Sequence, residues 1–166
     1  MDSRCLFIDA DQITSQMVRE FAGYWKSKRG SGVAPRRGAI DPLEIRHLLP
    51  YLVIVALEPA PFRVRYRLVG TRVVESHGAD FTNRYLDECG FLIERELMEC
   101  YRRVAAENAP VHLYFEWTRE DWPHDRGRTG ASESGFFPLS SDGVAIDMAI
   151  NIADPHVMPR PLIGPA

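Results

Sequence analysis

Hydrophobic and polar positions alternate most strictly at residues 62 to 68. Phe62, Val64, Tyr66 and Leu68 fall on one side of this stretch, Arg63, Arg65 and Arg67 on the other. Successive strand side chains point to opposite faces, so the pattern predicts a half-buried strand with a basic outer face. The arginines read first as the solvated side of an edge strand and only second as a polyanion site. The run before it, Tyr51 to Leu57, is continuously apolar and rich in Val and Ile, as in a central strand covered on both faces. Glu58-Pro59-Ala60-Pro61 turns the chain between them, which predicts an antiparallel hairpin. Three more strands follow late in the chain: Val111 to Trp117, a weaker Ala131 to Leu139, and Val144 to Ile152. Ser140-Ser141-Asp142-Gly143 predicts a tight hairpin turn between the last two.

Helical periodicity appears in two long segments. Over residues 12 to 28, Ile13, Met17, Phe21 and Tyr24 recur at helical spacing, Val18 and Trp25 widen the stripe, and Asp11 can cap it. Over residues 91 to 107, Ile93, Leu97, Cys100, Tyr101 and Val104 form the stripe, with Arg95/Glu99 and Glu99/Arg103 at four-residue spacing outside it. Asp41-Pro42-Leu43-Glu44 opens a short helix that Pro50 ends, with Ile40 and Ile45 as a hydrophobic staple. Thr71 caps a further helical segment to His77, closed by Gly78. Strands divided two and three around a helical crossover match an α+β domain: a five-stranded antiparallel sheet with its helices gathered on one face. The expected organisation is an N-terminal helix with a basic linker over 1–39, the sheet domain over 40–154, and a proline-rich tail over 155–166.

Composition narrows the partners. A net charge of −3 and a pI near 6.0 give no global attraction to nucleic acid or to an anionic membrane. No apolar run approaches the roughly 20 residues of a membrane helix, and Met1 to Asp9 does not read as a signal peptide, so the expected location is cytoplasmic. Cys5, Cys89 and Cys100 form no ligand-spaced pair and fit a reduced protein. Cys89, at a loop-to-helix junction, reads as an inert thiol, with an activated one as the alternative. Lys26 to Arg37 is basic without interleaved aromatics, a flexible linker before a nucleic-acid contact.

A resemblance is carried by Ile40-Asp41-Pro42, Leu48-Leu49-Pro50, Arg65 to Thr71 and Gly78-Ala79-Asp80-Phe81-Thr82-Asn83-Arg84, with Trp25 upstream and Pro138 to Gly143 downstream. The arrangement resembles a PAS domain, and more narrowly a bacterial PAS-like family of small stand-alone proteins. The match is dense over 40 to 86 and thinner beyond; it is specific for fold rather than for function. The resemblance implies sheet order 2-1-5-4-3, an N-terminal helix used for dimerisation, and a cavity between the sheet and the helical crossover. Asn83 stands where that family usually has glycine, and Arg119 to Gly130 is a longer connection than its pattern suggests, which bears on the register of the strand that follows.

The lining proposed for such a cavity is Tyr66 and Leu68, Leu97, Met98 and Tyr101, Leu113 and Phe115, and Met148 and Ile150, with His77, Asp80 and Thr82 at the mouth. The competing reading is that the apolar set simply fills the core. No phosphate loop, nucleophile elbow or metal-spaced cluster is present in the sequence. A haem held by His77 or His112 is the one cofactor weighed; the absence of an N-C-R-F-L-type segment argues against a flavin-thiol photosensor, and the cofactor stays unknown. The leading expectation is a non-enzymatic sensory or interaction module, a homodimer through Ile13, Met17, Phe21 and Tyr24, acting on a partner protein, with a small-molecule ligand as a further candidate. The alternatives are a cone-shaped isomerase or dehydratase using Asp80 with His77, or Asp147, and a weak nucleic-acid binder.

Overall fold

The computed structural model describes residues 4–118 and 129–160. The expected hairpin forms: β2 (Leu52–Pro59) and β3 (Phe62–Val69) pair antiparallel. Beyond them lie α2 (Thr71–His77), α3 (Glu94–Glu107), β4 (Val111–Thr118), β5 (Thr129–Leu139) and β6 (Met148–Val157). The strands run β3-β2-β6-β5-β4, the order the resemblance implies, and a sixth strand, β1 (Cys5–Ile8), extends the sheet outside β4. β1 is too short to read from periodicity; its pairing with β4 from Cys5↔Phe115 to Ile8↔His112 places it.

Both faces of the sheet are covered, which corrects the expectation of helices on one face. Phe136 faces α2 and α3 while its neighbour Phe137 faces α1 (Gln16–Arg29), and both are fully buried. In β2, Val53, Val55 and Leu57 pack on the crossover side, Leu52 and Ile54 on the α1 side, which is why this strand reads as apolar throughout. The N-terminal segment therefore belongs to the same packed body. Val18, Phe21 and Trp25 lie on the sheet, Phe21 meets Phe137 edge-on at 5.1 Å, and the Trp25 indole N–H donates to the Pro138 carbonyl at 2.8 Å. Each such side chain contributes about 1.5–3 kcal/mol through burial. Gly135 makes the approach feasible, since a Cβ there would sit 2.5 Å from the Phe137 ring and 3.1 Å from Val18.

Several local expectations are corrected. α1 starts at Gln16, because Ser15 and not Asp11 caps it, accepting from the Val18 N–H at 3.2 Å. The basic linker is held: Arg37 N–H donates to Ser140 O and Ser140 N–H to Pro35 O, each at 3.0 Å. After Asp41 the chain turns without forming a helix, anchored by buried Ile40, Ile45 and Leu48. The outer pairs on α3 are Arg103 with Glu107 and Arg95 with Glu96. Residues 140–147 form a loop instead of a tight turn. There Asp142 Oδ1 accepts from the N–H groups of Val144 and Ala145, and Asp147 accepts from Ser141 N–H. β6 continues through Pro155, where β5 alone still pairs with it and the register shifts, so no ladder bond is lost to the missing N–H. The connection over 119–128 lies outside the described residues; β5 resumes opposite β4 with Thr129 facing Thr118.

Candidate functional site

The crossover side is built around Tyr66 from β3. α2 supplies Val73 and His77, the irregular segment after it supplies Phe81, Leu86, Cys89 and Phe91, and α3 supplies Leu97, Met98 and Tyr101. Four rings meet edge to face: Tyr66–Phe81 at 4.6 Å, Phe81–Phe91 at 5.0 Å, His77–Phe91 at 5.2 Å and His77–Phe81 at 5.4 Å. Such geometry adds about 0.5–1.5 kcal/mol per pair beyond burial. Tyr101 lies deeper, 5.1 Å from Phe136 and nearly perpendicular to it.

The two phenols set the chemistry of this region. Tyr66 is 4% exposed and Tyr101 2%, and neither hydroxyl hydrogen-bonds to a described residue. Burial, and secondarily the nearby Tyr101 phenol, push Tyr66 well above the usual phenol range; burial pushes Tyr101 upward as well. Both are neutral hydroxyls able to donate and accept. His77 has its Nδ1 3.0 Å from the Val73 carbonyl, which fixes the proton there and leaves Nε2 outward. Desolvation of its ring holds it below the usual imidazole value despite that bond, so it is neutral at pH 7. Burial raises the Cys89 thiol, and its Sγ donates to the Tyr85 carbonyl at 3.2 Å.

Of the residues expected to line one cavity, Tyr66, Leu97, Met98, Tyr101 and Leu113 come together here, and half-buried Phe115 lies farther along the same face of β4 beside Cys5. Met148 and Ile150 do not: both face α1, and Ala149 takes the crossover side. β6 alternates Met148, Ile150 and Ile152 against Ala149, Asn151 and Ala153, but with both faces of the sheet covered the alternation does not say which face each set takes. Leu68 is also displaced. The register passes from Ile54↔Leu68 to Val55↔Tyr66, a bulge at Arg67 that turns Leu68 outward to 42% exposure and brings Val69 inward. Asp80 accepts from the Thr82 N–H at 2.9 Å and from its hydroxyl at 2.7 Å, so these two close a turn at the surface. Asp147 is likewise occupied in the 140–147 loop. His112 lies on the α1 face, remote from His77. No group of three or more His, Cys, Asp or Glu suited to a metal occurs among the described residues.

Of the arginine face, Arg63 is engaged rather than solvated, while Arg67 is exposed. Arg63 reaches Asp87 at 2.8 Å and Glu88 at 3.0 Å, and its guanidinium lies 3.6 Å from the Tyr85 ring. With Tyr66 N–H donating to Arg84 O and Asn83 N–H to Tyr66 O, the 83–88 segment is held along the free edge of β3. Arg63 thus fastens the wall of the aromatic cluster.

A second polar centre, which periodicity did not reveal, ties α1 to the opposite face. Glu133 of β5 has a fully buried side chain and accepts from Ser15 N–H at 2.7 Å, Thr14 N–H at 2.8 Å, Thr14 Oγ1 at 2.9 Å and Arg160 at 3.0 Å. Burial alone would raise its pKa, but these bonds outweigh burial and hold it below the usual carboxylate range. Ser15 Oγ donates to Asp154 at 2.6 Å beside it. The stripe expected to meet a second copy is spent inside the fold: Ile13 and Phe21 are buried, Met17 packs on them, and the Tyr24 hydroxyl bonds Glu44 at 2.8 Å.

Comparison with known proteins supplies a family. A family described as "PAS domain" matches residues 13–127. No curated protein matches. Among solved structures, that of an RNA-binding light-oxygen-voltage receptor is similar at 13% identity and a TM-score of 0.47, over 93% of this chain and 39% of that one. The chain thus spans well under half the length of that receptor. No helix among the described residues is long and apolar enough to cross a membrane.

Proposed function

The chain belongs to the PAS domain family, and on that premise we propose that it is a non-enzymatic cytoplasmic sensory module. It takes a small molecule on the crossover side and passes the change to a partner protein. The observation that carries this reading is the pair of phenols, Tyr66 and Tyr101, in an otherwise apolar aromatic core: their hydroxyls bond no described residue yet are not fully enclosed, so each keeps some accessible surface. A mostly apolar pocket with a few polar anchors is how small-molecule sites are built, and two hydroxyls with free bonding capacity can serve as such anchors. The ligand class is a compact, largely apolar molecule with one polar group that both phenols reach. His77 stands at the entrance, where its outward Nε2 can accept a bond from the ligand.

Transmission would run through the sheet. β5 presents Phe136 to Tyr101 on one face, and on the other presents Phe137 to α1 and Glu133 to the start of that helix. A shift of β5 on the ligand side is therefore a shift beneath α1. The test is a native mass spectrum and an absorption spectrum of the freshly purified full chain. A co-purifying molecule released on denaturation, and lost in Tyr66→Phe with Tyr101→Phe, is the expected result. Polypeptide mass alone, with both substitutions silent toward any added ligand, would refute it.

A further inference from the structure

A concave site lies on the face of the sheet opposite the aromatic cluster, where β1, the end of α1 and the start of β4 meet. It is an open cleft of about 350 Å³, within the size range of small-molecule sites. Its floor is Phe137 and Trp25, and Phe7 of β1, 41% exposed, forms a wall. The Trp25 N–H is already bonded to Pro138, so the indole offers only carbon to this space.

The polar atoms are few and disposed at one end. His112 is 7% exposed, its ring stands edge-on to Phe137 at 5.8 Å, and neither ring nitrogen hydrogen-bonds to a described residue. The imidazole borders the cleft, and neither nitrogen is among the fully enclosed polar atoms without a partner, so the ring keeps accessible surface there. Two cations flank it. Lys26 is exposed and makes no ion pair with a described residue, and Arg103 bonds Glu107 through Nε while its guanidinium lies 4.9 Å from the Phe7 ring. Asp9 is the one carboxylate in the lining and is exposed to solvent. With His112 neutral, the lining carries an excess of one positive charge.

We propose that this cleft binds a small aromatic carboxylate. Its ring would lie between Phe7 and the Phe137–Trp25 floor, its carboxylate between Lys26 and Arg103, with a hydrogen bond from the His112 imidazole. An aromatic body is favoured over an aliphatic one because the enclosing surface is itself aromatic, with His112 edge-on to Phe137 and Trp25 tilted at 45° to it. The site is separate from the crossover-side cluster, on the other face of the sheet, and stands or falls independently of it.

The experiment is a titration of the full chain with phenylacetate, followed by ¹H–¹⁵N NMR, with 2-phenylethanol as the neutral control. Saturable shifts of the Trp25 indole and His112 ring resonances, with weaker binding of the alcohol, are expected. His112→Phe, which keeps an apolar ring on Phe137, should weaken phenylacetate binding about fivefold. Lys26→Gln, at an exposed position, should weaken it about two- to fivefold and leave the alcohol unaffected. Absence of saturation at millimolar phenylacetate, shifts confined to the Tyr66–Tyr101 side, or indifference to both substitutions would overturn the proposal. So would concentration-dependent shifts of the same resonances without ligand, which would assign the cleft to a second copy of the chain.

Discussion

Replacing Glu133 with glutamine keeps its size and shape and exposes how α1 is fastened. Oε2 accepts both backbone N–H groups, from Thr14 at 2.8 Å and Ser15 at 2.7 Å; Oε1 accepts the Thr14 hydroxyl at 2.9 Å and Arg160 at 3.0 Å. An amide has a donor in place of one oxygen. The amide can keep its oxygen on the two backbone N–H groups and donate to the Thr14 hydroxyl, which accepts as well as donates. Its NH₂ then faces the Arg160 guanidinium, so that charge-assisted bond is lost and a repulsive contact replaces it. Bonds to a charged acceptor are worth about 1.5–3 kcal/mol each, and breaking a buried ionic group costs about 3–5 kcal/mol. The Arg160 side chain is 21% exposed and can recover some hydration, so about 3 kcal/mol is expected for Glu133→Gln. For a chain of this size that is a fall of roughly 6–12 °C in Tm. The assay is thermal unfolding across pH with amide hydrogen exchange at Ser15 to Val18. Because the folded pKa lies below the ordinary value of 4.5, the stabilisation is complete above that value and is lost as pH falls through the folded pKa. The gap between wild type and variant should therefore be constant near neutrality and shrink below about pH 4.5. Tm values within about 2 °C of each other, or a gap that does not narrow in acid, would refute the reasoning.

Other outcomes follow from the same packing. Gly135→Ala forces a methyl against the enclosed Phe137 ring and should destabilise by about 1–3 kcal/mol, read by urea unfolding. A chain beginning at Pro35 loses Val18, Phe21 and Trp25 from the α1-side core and should be unfolded by circular dichroism rather than a folded monomer. Cys89, its thiol raised by burial, should react with iodoacetamide at neutral pH more slowly than free cysteine; faster reaction would restore the activated-thiol reading.

Much of the architecture was legible because the strands carry their own periods: β2 apolar throughout, β3 alternating, a crossover helix between two sets of strands. What remained hidden has physical causes. Since both faces of the sheet are buried, Ile150 and Ala149 look equally inward from sequence, and only the pairing Ile54↔Ile150 assigns them. The bulge at Arg67 reverses Leu68 without any glycine or proline to announce it. Glu133 reads as a polar residue in a weak strand, because its partners at Thr14 and Ser15 are more than a hundred residues away in sequence. The aromatic cluster was half visible: Tyr66 stood out on the apolar side of β3, and Phe81 and Phe91 join it only once the chain folds back from α2.

The central claim concerns the two phenols, and native mass spectrometry of the full chain beside its Tyr66→Phe, Tyr101→Phe double variant tests it most directly. The wild type should carry additional mass that denaturation releases, and the variant should carry little or none while unfolding at an equal or higher temperature, because a hydroxyl that bonds no protein group is no loss to the fold when replaced by hydrogen. Bare polypeptide mass in both, with the variant unfolding several degrees lower, would mean that the hydroxyls serve the core alone, and would contradict the sensory reading.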